Sequence, residues 1–289
     1  MNNLNSNKTS LQIALEFLAD RPGYLKKSAL SLASALNKNN PLEYIQVSEE
    51  ALKLAKSLQR SNTNTPNRYC PEPFLTGNKN NILVIGDLHE PFCLDEYLIF
   101  NRNLQEQFNC GTVVFIGDII DNHYTSYHEV ESNALGADDE FTHAKSRIAD
   151  WYKVFPEAYV TMGNHDRLIM RKCKSGGISK HWMKTFNQAL DTPNWKFVES
   201  VVLNNILFIH GENGTAERRM NNESTSVVQG HLHSEGYIKY GVGNTKFGMQ
   251  VGCGTNMDTY AMVYAKDSKK PFLGSGVIIN NVPILIPLT

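Results

Sequence analysis

The spacing of apolar positions divides this chain into two stretches with different periods. Over Leu11–Ala19, Lys26–Leu36 and Ser48–Leu58 apolar residues recur at helical spacing, as in Leu11, Ile13, Ala14, Phe17 and Leu18. That predicts three short helices, separated by Pro22-Gly23 and by Asn37–Pro41. Ser48 is placed to cap the third helix, with Glu49 and Glu50 at its start and Lys53 and Lys56 further on, matching the helix dipole. The expectation for residues 1–78 is a small helical module of helix-turn-helix type. It ends in an Asn- and Pro-rich linker from Ser61 to Pro73.

From Asn81 the period changes. Short apolar runs rich in β-branched residues (Ile82–Ile85, Thr112–Ile116, Ala158–Thr161, Ile206–Ile209 and Ser226–Val228) each lead to a glycine or histidine. Helical stretches at Asp95–Phe108, Asp138–Val154 and Ser179–Leu190 lie between them. Continuous apolar strands alternating with helices imply an α/β domain, here residues 79–289, whose sheets are covered by helices. Four more strands close it: Tyr237–Tyr240, Phe247–Val251, Gly276–Ile279 and Pro283–Ile286.

Composition narrows the class without choosing a function. At 41 % hydrophobic and 20 % charged residues, the 289-residue chain is of ordinary globular type, which excludes a fibrous or disordered protein. The net charge of −1 selects no partner, but residues 1–80 carry 10 basic and 6 acidic side chains, net +4. No apolar run approaches the length of a membrane span. The start carries no apolar signal-peptide core, and the five cysteines form no C-x-x-C pair. The expected compartment is therefore the cytoplasm, with no membrane partner.

Each strand between residues 82 and 230 delivers polar residues at its C-terminal end: Gly86-Asp87-Leu88-His89, Gly117-Asp118-Ile119-Ile120-Asp121, Gly163-Asn164-His165-Asp166, His210-Gly211 and Gly230-His231-Leu232-His233. Ligands bind at that edge of α/β sheets because loops from several strands converge there. Asp, Asn and His donors suit Mn, Fe, Zn or Ni better than copper(I) or calcium.

This ordered set resembles the calcineurin-like metallophosphoesterase superfamily, with the pattern D-x-H, G-D-x-x-D, G-N-H-D/E, H and G-H-x-H; the Glu-Pro-Phe after the first motif is similar to phage and prophage members. The resemblance covers about residues 81–235 and implies a two-sheet β-sandwich flanked by helices, carrying two divalent metal ions. Position by position, it assigns Asp87, His89 and His233 to one ion and Asn164, His210 and His231 to the other, with Asp118 between them. It implies attack by a metal-bridged hydroxide, with manganese the favoured ion. His165 would protonate the leaving oxygen, Asp121 would hold the far nitrogen of His165, and Asp166 would support the loop. His123, His128 and Arg167 are candidates for contact with substrate, whereas His143 and His181 read as solvated helix surface.

Phosphoprotein phosphatases of this superfamily continue the second motif with an arginine that grips a phosphomonoester; here Asp121 is followed by Asn122. That favours a phosphodiester, in nucleic acid (DNA or RNA) or a nucleotide. Six basic residues and no acidic one fall between Arg167 and Lys184, directly after the third motif, and could lead a polyanion to the metals. The insert Tyr124–Asp139 reads as one wall of the pocket, with Gly252–Asn256 and Tyr260–Tyr264 covering the other side. Two rivals remain: a phosphomonoesterase, and a DNA-binding protein whose metal site is inactive.

Overall fold

Alternate residues of the first strand bury themselves in two different cores, and this sets the layering of the domain. In the computed structural model β1 spans Asn78–Ile85. Ile82 and Val84 pack into an apolar layer shared with Val114, Phe208, Val228 and Met249. Leu83 and Ile85 face the other way, onto Tyr97, Leu98, Ile148 and Trp151. A strand buried on both faces needs no polar alternation, hence its unbroken apolar run.

The structure describes residues 69–126, 134–259, 261–262 and 269–289, all within one compact unit, Tyr69–Thr289. The helices expected over residues 11–58 lie outside the described residues, as do His128 and part of the Tyr124–Asp139 insert. The chain from Tyr69 already runs with this unit: Cys70 packs on the helix-side core, and Arg102 Nε donates to the Glu72 carbonyl at 2.6 Å.

After β1 come α1 (Asp95–Gln107), β2 (Cys110–Phe115), α2 (Ala137–Val154), β3 (Ala158–Thr161), α3 (Leu168–Ser175) and α4 (Phe186–Leu190). Then follow β4 (Trp195–Val198), β5 (Ser200–Leu203), β6 (Ile206–Ile209), α5 (Ala216–Glu223) and β7 (Ser226–Gln229). The last strands are β8 (Tyr237–Tyr240), β9 (Phe247–Gln250), β10 (Gly274–Ile279) and β11 (Val282–Pro287). A six-stranded sheet runs in the order β11-β10-β1-β2-β3-β4, and a five-stranded sheet in the order β5-β6-β7-β9-β8. Strands β1 to β4 are mutually parallel, as are β6, β7 and β9. The sheets face each other across the first apolar layer. Helices α1 and α2 cover the outside of the larger sheet, and Met220 of α5 covers Leu207 and Val227 of the smaller. The two-sheet sandwich flanked by helices is thus observed.

Local expectations failed in two places. The single helix expected at Ser179–Leu190 is a 3-10 turn at Lys180–Trp182 followed by α4. Thr185 breaks it, because its side chain accepts from Gln188 N while Gln188 caps back, starting a new helix. His143, expected on a solvated surface, is buried. It shares the inner stripe of α2 with Arg147 and Trp151, one and two i+4 steps away, so helix geometry carries it inward.

That stripe also holds a buried ion pair. Arg147 Nε donates to Glu90 Oε2, its Nη2 to the Cys93 carbonyl at 2.7 Å, and Trp151 Nε1 to Glu90 Oε1 at 2.7 Å. Removing one partner strands the other charge without solvent. Arg147→Met is therefore expected to cost about 3–5 kcal/mol, and the double variant Glu90→Gln/Arg147→Met less. Urea unfolding midpoints of the three proteins check this; an unchanged midpoint for Arg147→Met would show that the pair is idle.

Candidate metal centre

The five polar motifs sit at the C-terminal ends of β1, β2, β3, β6 and β7, five of the parallel strands of the two facing sheets. Both sheets therefore aim these ends at one place. Several residues in and beside the motifs take left-handed backbone: His89 at φ 52°, Asp118 at φ 46°, Asn122 at φ 53° and His231 at φ 70°. Such conformations cost free energy for residues other than glycine and persist where the surroundings enforce them. Here Leu88 N and His89 N both donate to the Asp118 carbonyl, at 3.2 and 2.8 Å, tying the first two loops together.

Asp87, His89 and His233 form one group of donors and Asp118, His210 and His231 a second, each with its donor atoms within 4.8 Å of one another; His89, Asp121 and His165 meet the same criterion. His233 Nε2 lies 3.0 Å from Asp87 Oδ2 and 3.1 Å from His89 Nε2. In the second group His210 Nε2 lies 3.0 Å from Asn164 Oδ1 and 3.2 Å from Asp118 Oδ2. Asp118 Oδ2 is also 3.6 Å from His89 Nε2, which puts this carboxylate between the groups. His210 Nδ1 meets the Ile116 carbonyl at 2.9 Å, so it carries a proton there and leaves Nε2 as the nitrogen that faces the cluster.

The donor set fits divalent ions. Asp87 Oδ1 is buried and has no hydrogen-bond partner among the described residues. The two glycines behind the carboxylates leave them no spare room: a Cβ at Gly230 would fall 2.2 Å from Asp87 Oδ1, and one at Gly163 2.0 Å from Asp118 Oδ1. A buried carboxylate oxygen without a hydrogen bond, 3.9 Å from His210 Nδ1, suits a bound cation.

His165 stands at the edge of this cluster, its ring edge-on to His89 with centroids 4.5 Å apart. Its Nδ1 donates to the Asp121 backbone carbonyl at 2.7 Å, leaving Nε2 as the exchangeable position. Asp121 meets His165 as expected and has a second partner besides. The carboxylate makes its short hydrogen bond, 2.7 Å, to His89 Nδ1, and reaches His165 Nδ1 only at 3.3 Å. Asp121 thus serves both rings: its carboxylate bonds His89 Nδ1 and faces His165 Nδ1, and its carbonyl accepts from His165. Asp166 braces the loops, accepting from Ile119 N at 3.0 Å and from Gly163 N at 2.8 Å.

The electrostatics follow from three buried carboxylates among imidazoles. Burial opposes charge on His165, but Asp118 and Asp121 outweigh it and push its pKa up to about 10. At His210 burial loses in the same way to Asp118 and Asp87, again ending at about 10. Burial also opposes ionisation of Asp118 and Asp121, yet their histidine neighbours hold both carboxyls well below the usual range. His89 moves down, chiefly through burial and then through repulsion from His165.

The substrate candidates are placed less centrally. His123 is buried, with Nδ1 3.9 Å from Asp121 Oδ2. The Arg167 guanidinium is engaged by Glu199 and Glu212. It lines, with Ser126, Asn164, His165, Arg171 and Glu212, a cavity of about 360 Å³ beside the cluster. His128 lies outside the described residues, and His181 is exposed. Two participants were missed from sequence. Asn122 Nδ2 donates to the His165 carbonyl at 3.0 Å. Buried Glu140, its pKa pushed by burial and then by Asp121 up to about 7, accepts from His123 N at 2.6 Å through Oε1. Its place on the stripe with Ala144 and Ile148 was the available signal.

No helix among the described residues is long and apolar enough to cross a membrane. No curated protein matches the chain. Among solved structures it is similar to vacuolar protein sorting 29 of Cryptosporidium parvum, at 15 % identity over 71 % of this chain and 95 % of that one, with a TM-score of 0.36. It is also similar to YfcE, a phosphoesterase from E. coli (14 %; 72 % and 92 %; TM-score 0.36), and to nuclease MPE of Pseudomonas putida (12 %; 72 % and 88 %; TM-score 0.33). The calcineurin-like phosphoesterase family model matches residues 81–247, which takes in all five motifs and more than half of the chain. This protein belongs to the calcineurin-like phosphoesterase family, divalent-metal-binding hydrolases of phosphoric esters.

Proposed function

We propose that this protein is a binuclear metal-dependent phosphodiesterase acting on nucleic acid or nucleotides. The observation that carries the reading is the place of Asp118, whose Oδ2 lies between His89 Nε2 and His210 Nε2 and so belongs to both donor groups. Asp87, His89 and His233 would hold one ion, Asn164, His210 and His231 the other, and Asp118 both. When bound, the ions supply charge stabilisation at the phosphoryl oxygens and activation of the attacking water; manganese suits the imidazole-rich set better than magnesium. His165 protonates the leaving oxygen from Nε2, held in place by the Asp121 carbonyl. Asp121 and the Ile116 carbonyl fix the rings of His89 and His210.

The lean toward diesters rests on Asn122 and Arg167. Asn122 stands where a monoester-gripping arginine would be expected, and its side chain braces the His165 loop instead. Arg167 is held by two glutamates, which offset its charge. With Mn present, kcat/KM for bis(p-nitrophenyl) phosphate is expected to exceed that for p-nitrophenyl phosphate at least tenfold. The reverse order would make the protein a phosphomonoesterase, and no turnover of either would favour an inactive site.

A further inference from the structure

The basic segment after the third motif folds into a surface whose chemistry the metal centre does not use. Helix α3 starts at Leu168, three residues after His165, and the 3-10 turn at Lys180–Trp182 follows it. Lys172, Lys174, Lys180 and Lys184 are all exposed, and Trp182 stands out from the turn with 87 % of its surface in solvent. Exposed Tyr124, Met170 and Ile178 extend this apolar ground. The carboxylate of Asp191, near Lys184, is taken by Lys145 at 2.5 Å.

The residues flanking Trp182 in the chain, Lys180, Met183 and Lys184, line a cavity of about 730 Å³ walled by Phe141, Met170, Phe186 and Phe197. Phe186 and Phe197 stack with centroids 5.4 Å apart, giving a flat aromatic wall. One buried polar side chain belongs to this apolar lining. Glu140 gives Oε1 to His123 N, while its Oε2 has no hydrogen-bond partner among the described residues. A cavity of this size with apolar walls and one unsatisfied polar atom is the usual form of a site for a flat ligand bearing N–H groups.

From this juxtaposition we infer that residues 169–186 bind single-stranded nucleic acid. The exposed lysines neutralise phosphates, Trp182 stacks a base, and an unstacked neighbouring base enters the cavity, where its amino group meets Glu140. Stacking and insertion both require bases that are not paired, so a duplex is disfavoured. The inference rests on the phosphodiesterase reading for its biological sense but not for its test, because binding is read apart from turnover.

The test uses the full-length chain with His165→Asn, so that the probe survives, and fluorescein-labelled 15-mers followed by anisotropy. Single-stranded oligo(dC) is expected to bind at least tenfold more tightly than a duplex or an abasic strand of equal length. Adding Trp182→Ala weakens oligo(dC) binding about 5- to 100-fold and leaves the abasic strand unchanged, the range expected for one stacked base. Lys180→Gln/Lys184→Gln lowers the slope of log affinity against log salt by about 1.4. Glu140→Gln reduces the preference for oligo(dC) over oligo(dT). Equal binding of single strand and duplex, or no effect of Trp182→Ala, overturns the inference. With His165 intact, Trp182→Ala should turn over bis(p-nitrophenyl) phosphate at the wild-type rate. If the wild type shows no such turnover while Trp182-dependent binding persists, the phosphodiesterase reading fails and the binding surface stands.

Discussion

Protein stripped with chelator and dialysed is expected to hydrolyse phosphodiesters at no measurable rate, and to recover on addition of Mn more fully than on addition of Mg. Asp87, Asp118 and Asp121 are all buried in the same cluster. Without cations their charge is met only by imidazoles and backbone amides, which cannot polarise a phosphoryl group. Metal-ion catalysis of this kind is worth several kcal/mol, so the loss should be on the order of 10³-fold or more. Because ions bind the folded site and not the open chain, Mn should also raise the unfolding midpoint of the stripped protein. Asp118→Asn weakens both donor groups at once, since one carboxylate serves the two. Its metal content should fall together with its activity, and most of the midpoint shift with Mn should vanish. Full activity in excess chelator would sink the two-ion reading, whatever the variants do.

How far the sequence foretold this site depends on whether a residue's partner is near it in the chain. Strand β1 was legible because both its faces are buried and its apolar run is unbroken. The metal-facing residues were legible because each sits directly after such a strand, where a turn follows. Helices α3 and α5 were not, since LIMRKCKS and AERRMNNE are short, half or more polar, and each buries only one or two side chains. Thr185 looked like the interior of a helix until its reciprocal bond with Gln188 showed a cap. Glu90 and Arg147 are 57 positions apart, and no local pattern announces that they will meet. The same blindness hid the second partner of Asp121, His89. Spacing cannot say whether a carboxylate or the carbonyl of the same residue will face a given histidine.

His165→Asn is expected to keep both metals and lose roughly 10²–10⁴-fold in rate on substrates with poor leaving groups, the usual range for a positioned acid. His165 gives Nδ1 to a carbonyl and belongs to neither the Asp87 nor the Asp118 group, so its removal takes no donor atom from those two. On bis(p-nitrophenyl) phosphate the loss should shrink, because nitrophenolate departs without a proton. Asp121→Asn is the variant that separates side chain from backbone. Its carbonyl still holds His165, so proton delivery should survive with the His165 pKa lowered by loss of the carboxylate charge, whereas His89 loses its 2.7 Å partner. The expected result is weaker metal binding, on the order of 10- to 100-fold, with a rate loss equal on good and poor leaving groups once metal is saturating. A pattern in which Asp121→Asn instead repeats the leaving-group dependence of His165→Asn would return the carboxylate to His165. If His165→Asn lost its metals, or lost equal activity on both kinds of leaving group, another residue would have to supply the proton. Metal stoichiometry and two substrates decide between these outcomes in one set of measurements.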